Sequence, residues 1–100
     1  MNPVVRTRSG SLEGQLEDGL CVFRGVPYAR AARWQPPQPP EPWSGVRAAR
    51  QFGASAPQSA PQLPFADRLI GARTREQSED CLTLNLWTQG ADARRRPVLV

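Results

Sequence analysis

Between Gly25 and Trp43 the chain reads GVPYARAARWQPPQPPEPW, and this stretch limits the possible folds more than any other. Proline has no backbone N–H and its ring holds φ at about −65°, so a run this dense can neither continue a helix nor stand inside a sheet. The segment must run extended across a surface, as a strap, with Trp34 and Trp43 available as anchors at its two ends. The same residues contain P-x-x-P spacings, which leaves open a second use as a ligand for a proline-recognising module. The strap reading asks less of the chain, because it needs only a larger fold to lie on.

Around the strap the pattern is one of short strands. Val4 to Arg8, Ser11 to Leu16 and Leu20 to Arg24 are separated by Ser9-Gly10 and Asp18-Gly19, two-residue turn signals in which glycine takes positive φ without steric cost, so a small antiparallel meander is expected. Arg47 to Phe52 is expected as a short helical turn ended by Gly53. From Ala54 to Gln77 neither helix nor strand period is sustained, although FADRLIGA could make a turn or two of helix, and a loop of this length is usually functional or mobile. Next comes SEDCLTLNLW, a half-buried strand with Leu82, Leu84 and Leu86 on one face and Thr83, Asn85 and Trp87 on the other. Acids at its mouth are costly to bury alone, so either a partner elsewhere in the chain or a solvent-facing strand end is expected. The final PVLV is apolar on both faces, as a central strand covered on both sides would be. A covered strand at the end of 100 residues predicts that these residues are the front of a larger fold.

Composition excludes more than it assigns. The net charge of +4 comes from 13 basic residues, all arginine, against 9 acids. The arginines are scattered, and the run Arg94-Arg95-Arg96 has no interleaved aromatics, so nucleic-acid binding is not expected. No apolar run approaches the roughly 20 residues of a membrane span. The opening MNPVVRTRSG lacks an apolar core of about 7–15 residues, so a secretory signal is not expected and the cytoplasm is the expected compartment. Cys21 and Cys81 are accordingly expected as free thiols. There is no histidine. Serine and cysteine nucleophiles usually recruit a histidine base, and transition-metal sites usually recruit imidazole. No catalytic residue, cofactor site or metal site is therefore assigned within residues 1–100, and Ser44, Ser55, Ser59 and Ser78 have no base to activate them.

In order along the chain, VVRTRSGSLEG, FRGVPYA, RWQPPQPPEPWSGVRAARQFG, SEDCLTLNLW and RPVLV resemble the opening of the type-B carboxylesterases, which include the para-nitrobenzyl esterases and cholinesterases. The resemblance implies an α/β-hydrolase fold, of whose single domain residues 1–100 would be the N-terminal portion: a small antiparallel hairpin sheet, the proline strap and the first strands of the central sheet. It implies a carboxylic ester hydrolase with a serine nucleophile and an acyl-enzyme mechanism, acting on a small-molecule ester, with its catalytic residues beyond residue 100. It also implies a structural pair, Arg33 with Glu79, in which a planar guanidinium clips the donor-poor strap to the strand it crosses. Phe65 is the one aromatic of the Ala54 to Gln77 loop, which in such esterases borders the substrate entrance. The loop has no tryptophan to hold a quaternary ammonium, so a choline ester is not the expected substrate.

The sequence departs from the family pattern in two places. The residues between Tyr28-Ala29 and Arg33-Trp34 are shortened, with Trp34 where phenylalanine is usual, and Ala56 stands where many members have the cysteine that partners the equivalent of Cys81. Two alternatives remain beside the esterase: a non-catalytic binding protein on the same fold, and a small stand-alone domain displaying the proline ligand.

Overall fold

A computed structural model describes residues 1–59 and 76–100. It contains six strands: β1 (Val4–Arg6), β2 (Ser11–Glu13), β3 (Gln15–Glu17), β4 (Leu20–Pro27), β5 (Val46–Ala48) and β6 (Thr83–Thr88). They form two three-stranded sheets, ordered β1-β2-β5 and β3-β4-β6.

The turns form where the sequence demands them. Asp18 and Gly19 both take positive φ, 49° and 79°, and Glu17 pairs with Leu20, so a two-residue hairpin joins β3 to β4. At the first turn the Thr7 N–H donates to the Gly10 carbonyl at 2.8 Å. The Thr7 hydroxyl donates to that same carbonyl and accepts from the Ser9 and Gly10 N–H groups, which ends β1 at Arg6 rather than Arg8.

The expected single meander is in fact two sheets. The strand anticipated over Ser11 to Leu16 divides at Gly14, with β2 pairing antiparallel to β1 and β3 pairing antiparallel to β4. Gly14 is buried, and its N–H donates to the Pro3 carbonyl at 2.9 Å. A Cβ there would sit under 3.0 Å from the Val22 carbonyl oxygen and 2.8 Å from Phe23 Cδ1, so the chain can cross from one sheet to the other only where a side chain is absent.

A second correction concerns Arg47 to Phe52. No helical turn forms there: Val46–Ala48 is a strand parallel to β2, with Ser11 opposite Val46 and Glu13 opposite Ala48. Trp43 decides this outcome. Its backbone N–H donates to the Ser9 carbonyl at 2.8 Å and its indole N–H to the Ser11 carbonyl at 2.9 Å, delivering the chain alongside β2. The ring packs so closely on Gly10 that a Cβ there would lie 2.5 Å from it. The Ala49 N–H then donates to Glu13 and the Ala49 carbonyl accepts from Arg24, both at 2.8 Å. Backbone partners supplied by two sheets outweigh the single hydrogen-bonded turn that six residues could make alone.

The core lies between the sheets, where Leu12, Cys21, Phe23 and Ala49 are buried and Val5, Val26 and Trp43 close round them. In the β4·β6 pairing Leu86 faces Phe23 and Leu84 faces Val26, so these leucines share one face as the alternation requires, but both are exposed and β6 is not the half-buried strand expected. Leu82 precedes β6 instead of beginning it, and its carbonyl accepts from the Tyr28 N–H at 3.2 Å. On the opposite face Val22 is fully buried. Trp87 is its register partner, and Arg24 shares that face two residues along the same strand. A bulge between Phe23 and Val26 centres on Gly25, whose φ is 69° and whose N–H donates to Asn85 Oδ1 at 3.0 Å.

Residues Pro97 to Val100 do not form a strand, and Leu99 is 99% exposed. No described strand offers them a ladder, and an apolar run without a partner has nothing to satisfy its backbone or cover its faces. Trp34 also departs from expectation. It is 94% exposed with φ at 62°, in a turn closed by the Gln35 N–H on the Ala32 carbonyl, so it anchors neither end of the strap. Arg30 takes that role. Its backbone exchanges two hydrogen bonds with Gln38, its Nε donates to the Pro39 carbonyl at 3.2 Å, and its Nη1 pairs with Glu41 at 2.7 Å. Among the described residues no helix is long and apolar enough to cross a membrane.

Candidate functional site: the strap clip and the loop base

The strap and the strand it crosses meet at Arg33 and Glu79. Arg33 lies in the turn that opens the strap, Glu79 in the approach to β6, and Arg33 Nε donates to Glu79 Oε1 at 2.6 Å. One bond is made rather than a two-pronged fork, and both side chains remain well exposed, at 68% and 59%. The hydrogen bond to Glu79 raises the Arg33 pKa further above its ordinary value. Arg30, which could have competed for Glu79, is committed to Glu41 and the strap backbone.

Beside the clip, two distant segments are tied together. The Ser55 N–H donates to the Glu76 carbonyl and the Ser78 N–H to the Ser55 carbonyl, both at 2.9 Å, and the Gln58 N–H donates to Gln77 Oε1 at 3.1 Å. The Ser78 hydroxyl accepts from the Asp80 N–H at 3.0 Å. The backbones of Ser55 and Ser78 thus join the two segments, while the Ser78 hydroxyl serves the local turn to Asp80. Phe65, the candidate entrance residue, and the FADRLIGA segment lie outside the described residues.

Both thiols are free. Cys21 sits opposite Thr88, at the far end of β6 from Cys81. Thr83 to Thr88 alone spans roughly 17 Å at about 3.4 Å per residue, well beyond the roughly 7 Å between Cα atoms that a disulfide tolerates.

Two adjoining clefts flank the clip. One, of about 420 Å³, is lined by Pro27, Arg30, Glu41, Glu79 and Leu82 among others. The other, of about 690 Å³, is lined by residues that include Arg24, Arg50, Phe52, Ser78 and Asp80. Their charges are largely matched internally: Arg24 pairs with Glu17 through two bonds of 2.6 and 2.8 Å, and Arg50 pairs with Glu13. Among the described residues no group of three or more histidine, cysteine, aspartate or glutamate side chains is placed to hold a metal. The arrangement joins a strap, a strand and a loop base into one unit.

Sequence reasoning missed the Arg24 cluster. The guanidinium lies 5.1 Å from the Phe52 ring centroid and 5.8 Å from that of Trp87, and the Glu17 hydrogen bond raises its pKa while lowering that of Glu17. The Asp18-Gly19 turn already implied the pairing of Glu17 with Leu20, which puts Glu17 and Arg24 on one face. The aromatic partners had no such local signal. Asp92 and Arg96 were also passed over, although their i, i+4 spacing was legible.

The model of the carboxylesterase family matches residues 1–100, the whole of this sequence. The chain belongs to the carboxylesterase family. As a member it is 48% identical to the phenmedipham hydrolase of Pseudarthrobacter oxydans over 98% of the chain, and 33% identical to the para-nitrobenzyl esterase of Bacillus subtilis over 97%. In each case it covers 20% of the relative, so this carboxylesterase-family chain spans about a fifth of the length of the curated relatives it matches. Among solved structures, an esterase from Clostridium hathewayi described as hydrolysing aliphatic aromatic polyesters superposes with a TM-score of 0.82 at 42% identity, covering 90% of this chain and 18% of that one. The Geobacillus stearothermophilus carboxylesterase EST55 superposes with a TM-score of 0.74 at 40% identity, covering 94% and 18%. The two sheets and strap are thus a carboxylesterase arrangement.

Proposed function

We propose that residues 1–100 are the N-terminal portion of a single α/β-hydrolase domain in a carboxylic ester hydrolase, whose serine nucleophile, base and oxyanion donors lie beyond residue 100. The observation that carries this reading is the superposition on the Clostridium hathewayi esterase, at 42% identity over nine-tenths of the chain. Within such an enzyme the segment's role is architectural. It contributes strands, the strap and one wall of the substrate entrance, with the Arg33–Glu79 pair clipping the strap to the approach of β6. The substrate is a small-molecule ester, and no cofactor is required for acyl transfer to a serine. The cytoplasm is the compartment that accompanies this reading.

A non-catalytic binding protein on the same fold is the alternative, and the hydrolase and esterase names of the relatives do not favour it. A proline-ligand domain is less favoured, because Arg30 already holds both backbone groups of Gln38 and the Pro39 carbonyl.

The deciding experiment uses the whole protein encoded by the gene. It should turn over a para-nitrobenzyl ester or phenmedipham, chosen because relatives carry those names, and an active-site-directed fluorophosphonate should label one serine and abolish turnover. Labelling with turnover establishes the esterase; a folded protein that shows neither sinks it and leaves the binding relative.

A further inference from the structure

We draw no further inference here: the strongest candidate, the pair of adjoining clefts that share Pro27, Arg47 and Asp80 beside the strap, lies open on a chain that spans about a fifth of its relatives' length, and nothing in the structure shows what covers it.

Discussion

Replacing Gly14 with alanine tests the crossing between the two sheets. Gly14 stands between the last residue of β2 and the first of β3, and the added methyl would lie under 3.0 Å from the Val22 carbonyl oxygen and 2.8 and 2.9 Å from two atoms of the Phe23 ring. Neither neighbour can move aside cheaply. Val22 is laddered to Gln15 on one side and Trp87 on the other, and Phe23 is one of the two largest fully buried side chains. Overpacking of this kind costs about 1–3 kcal/mol, and a ladder hydrogen bond broken in relieving it adds about 1 kcal/mol, so Gly14→Ala should destabilise by about 2–4 kcal/mol. The assay is urea unfolding of the whole protein followed by tryptophan fluorescence, comparing midpoints at constant slope. Gly19 supplies the control: a Cβ there meets nothing within 4 Å, and only its φ of 79° is demanding, so Gly19→Asn should lie within about 0.5 kcal/mol of the parent. A Gly14→Ala protein as stable as Gly19→Asn would refute the crossing, because the space the structure denies to a methyl group would then exist.

Truncating Phe23 to alanine, at a site 2% exposed and central to the core, should cost about 3–5 kcal/mol in the same unfolding experiment, and a cost below about 1 kcal/mol would mean the core lies elsewhere. The exposed, singly bonded clip should show weak coupling in an Arg33→Met and Glu79→Gln double-mutant cycle, detectable at low ionic strength and vanishing in high salt; coupling that survives high salt would show the pair to be buried in the whole protein. Thiol counting on denatured, unreduced protein should find Cys21 and Cys81 both free even after mild oxidation, and a Cys21–Cys81 bridge would contradict the placement of Cys21 opposite Thr88. The Asp92 carboxyl is held down to about 2 by the Arg96 guanidinium and then by the Arg94 N–H. A lowered folded-state pKa adds stability that is complete above the ordinary value of 3.8 and is lost as pH falls through about 2, so Asp92→Asn should flatten the pH dependence of stability between about pH 4 and pH 2; an unchanged acid limb would remove the Asp92–Arg96 lock.

The parts legible in the sequence were those set by the local sterics of the chain. Asp18-Gly19 forms its turn because two adjacent residues must both take positive φ. The strap avoids helix and sheet interior because its prolines cannot donate, and β6 sets Leu84 and Leu86 on one face because strand side chains alternate. The lack of histidine could be read outright. For the acids of SEDCLTLNLW the sequence left a partner or a solvent-facing strand end open, and naming Arg33 took a family resemblance.

Tertiary structure decided whatever depended on a backbone partner far away in the chain. Gly14 has a φ that most residues could adopt, so only the approach of Val22 and Phe23 reveals why a side chain is excluded and why one strand became two. Val46–Ala48 is a strand because Trp43 bonds to Ser9 and Ser11 and brings it alongside β2, a contact with no trace in its own residues. Arg24 found Phe52 and Trp87 by the same long-range folding, whereas Trp34, which looked like an anchor, was left in solvent once Arg30 had secured the strap. A turn or an alternation is fixed by the conformations open to a few neighbouring residues; a sheet edge, an ion pair or a buried ring depends on which distant groups the fold brings within a few ångströms.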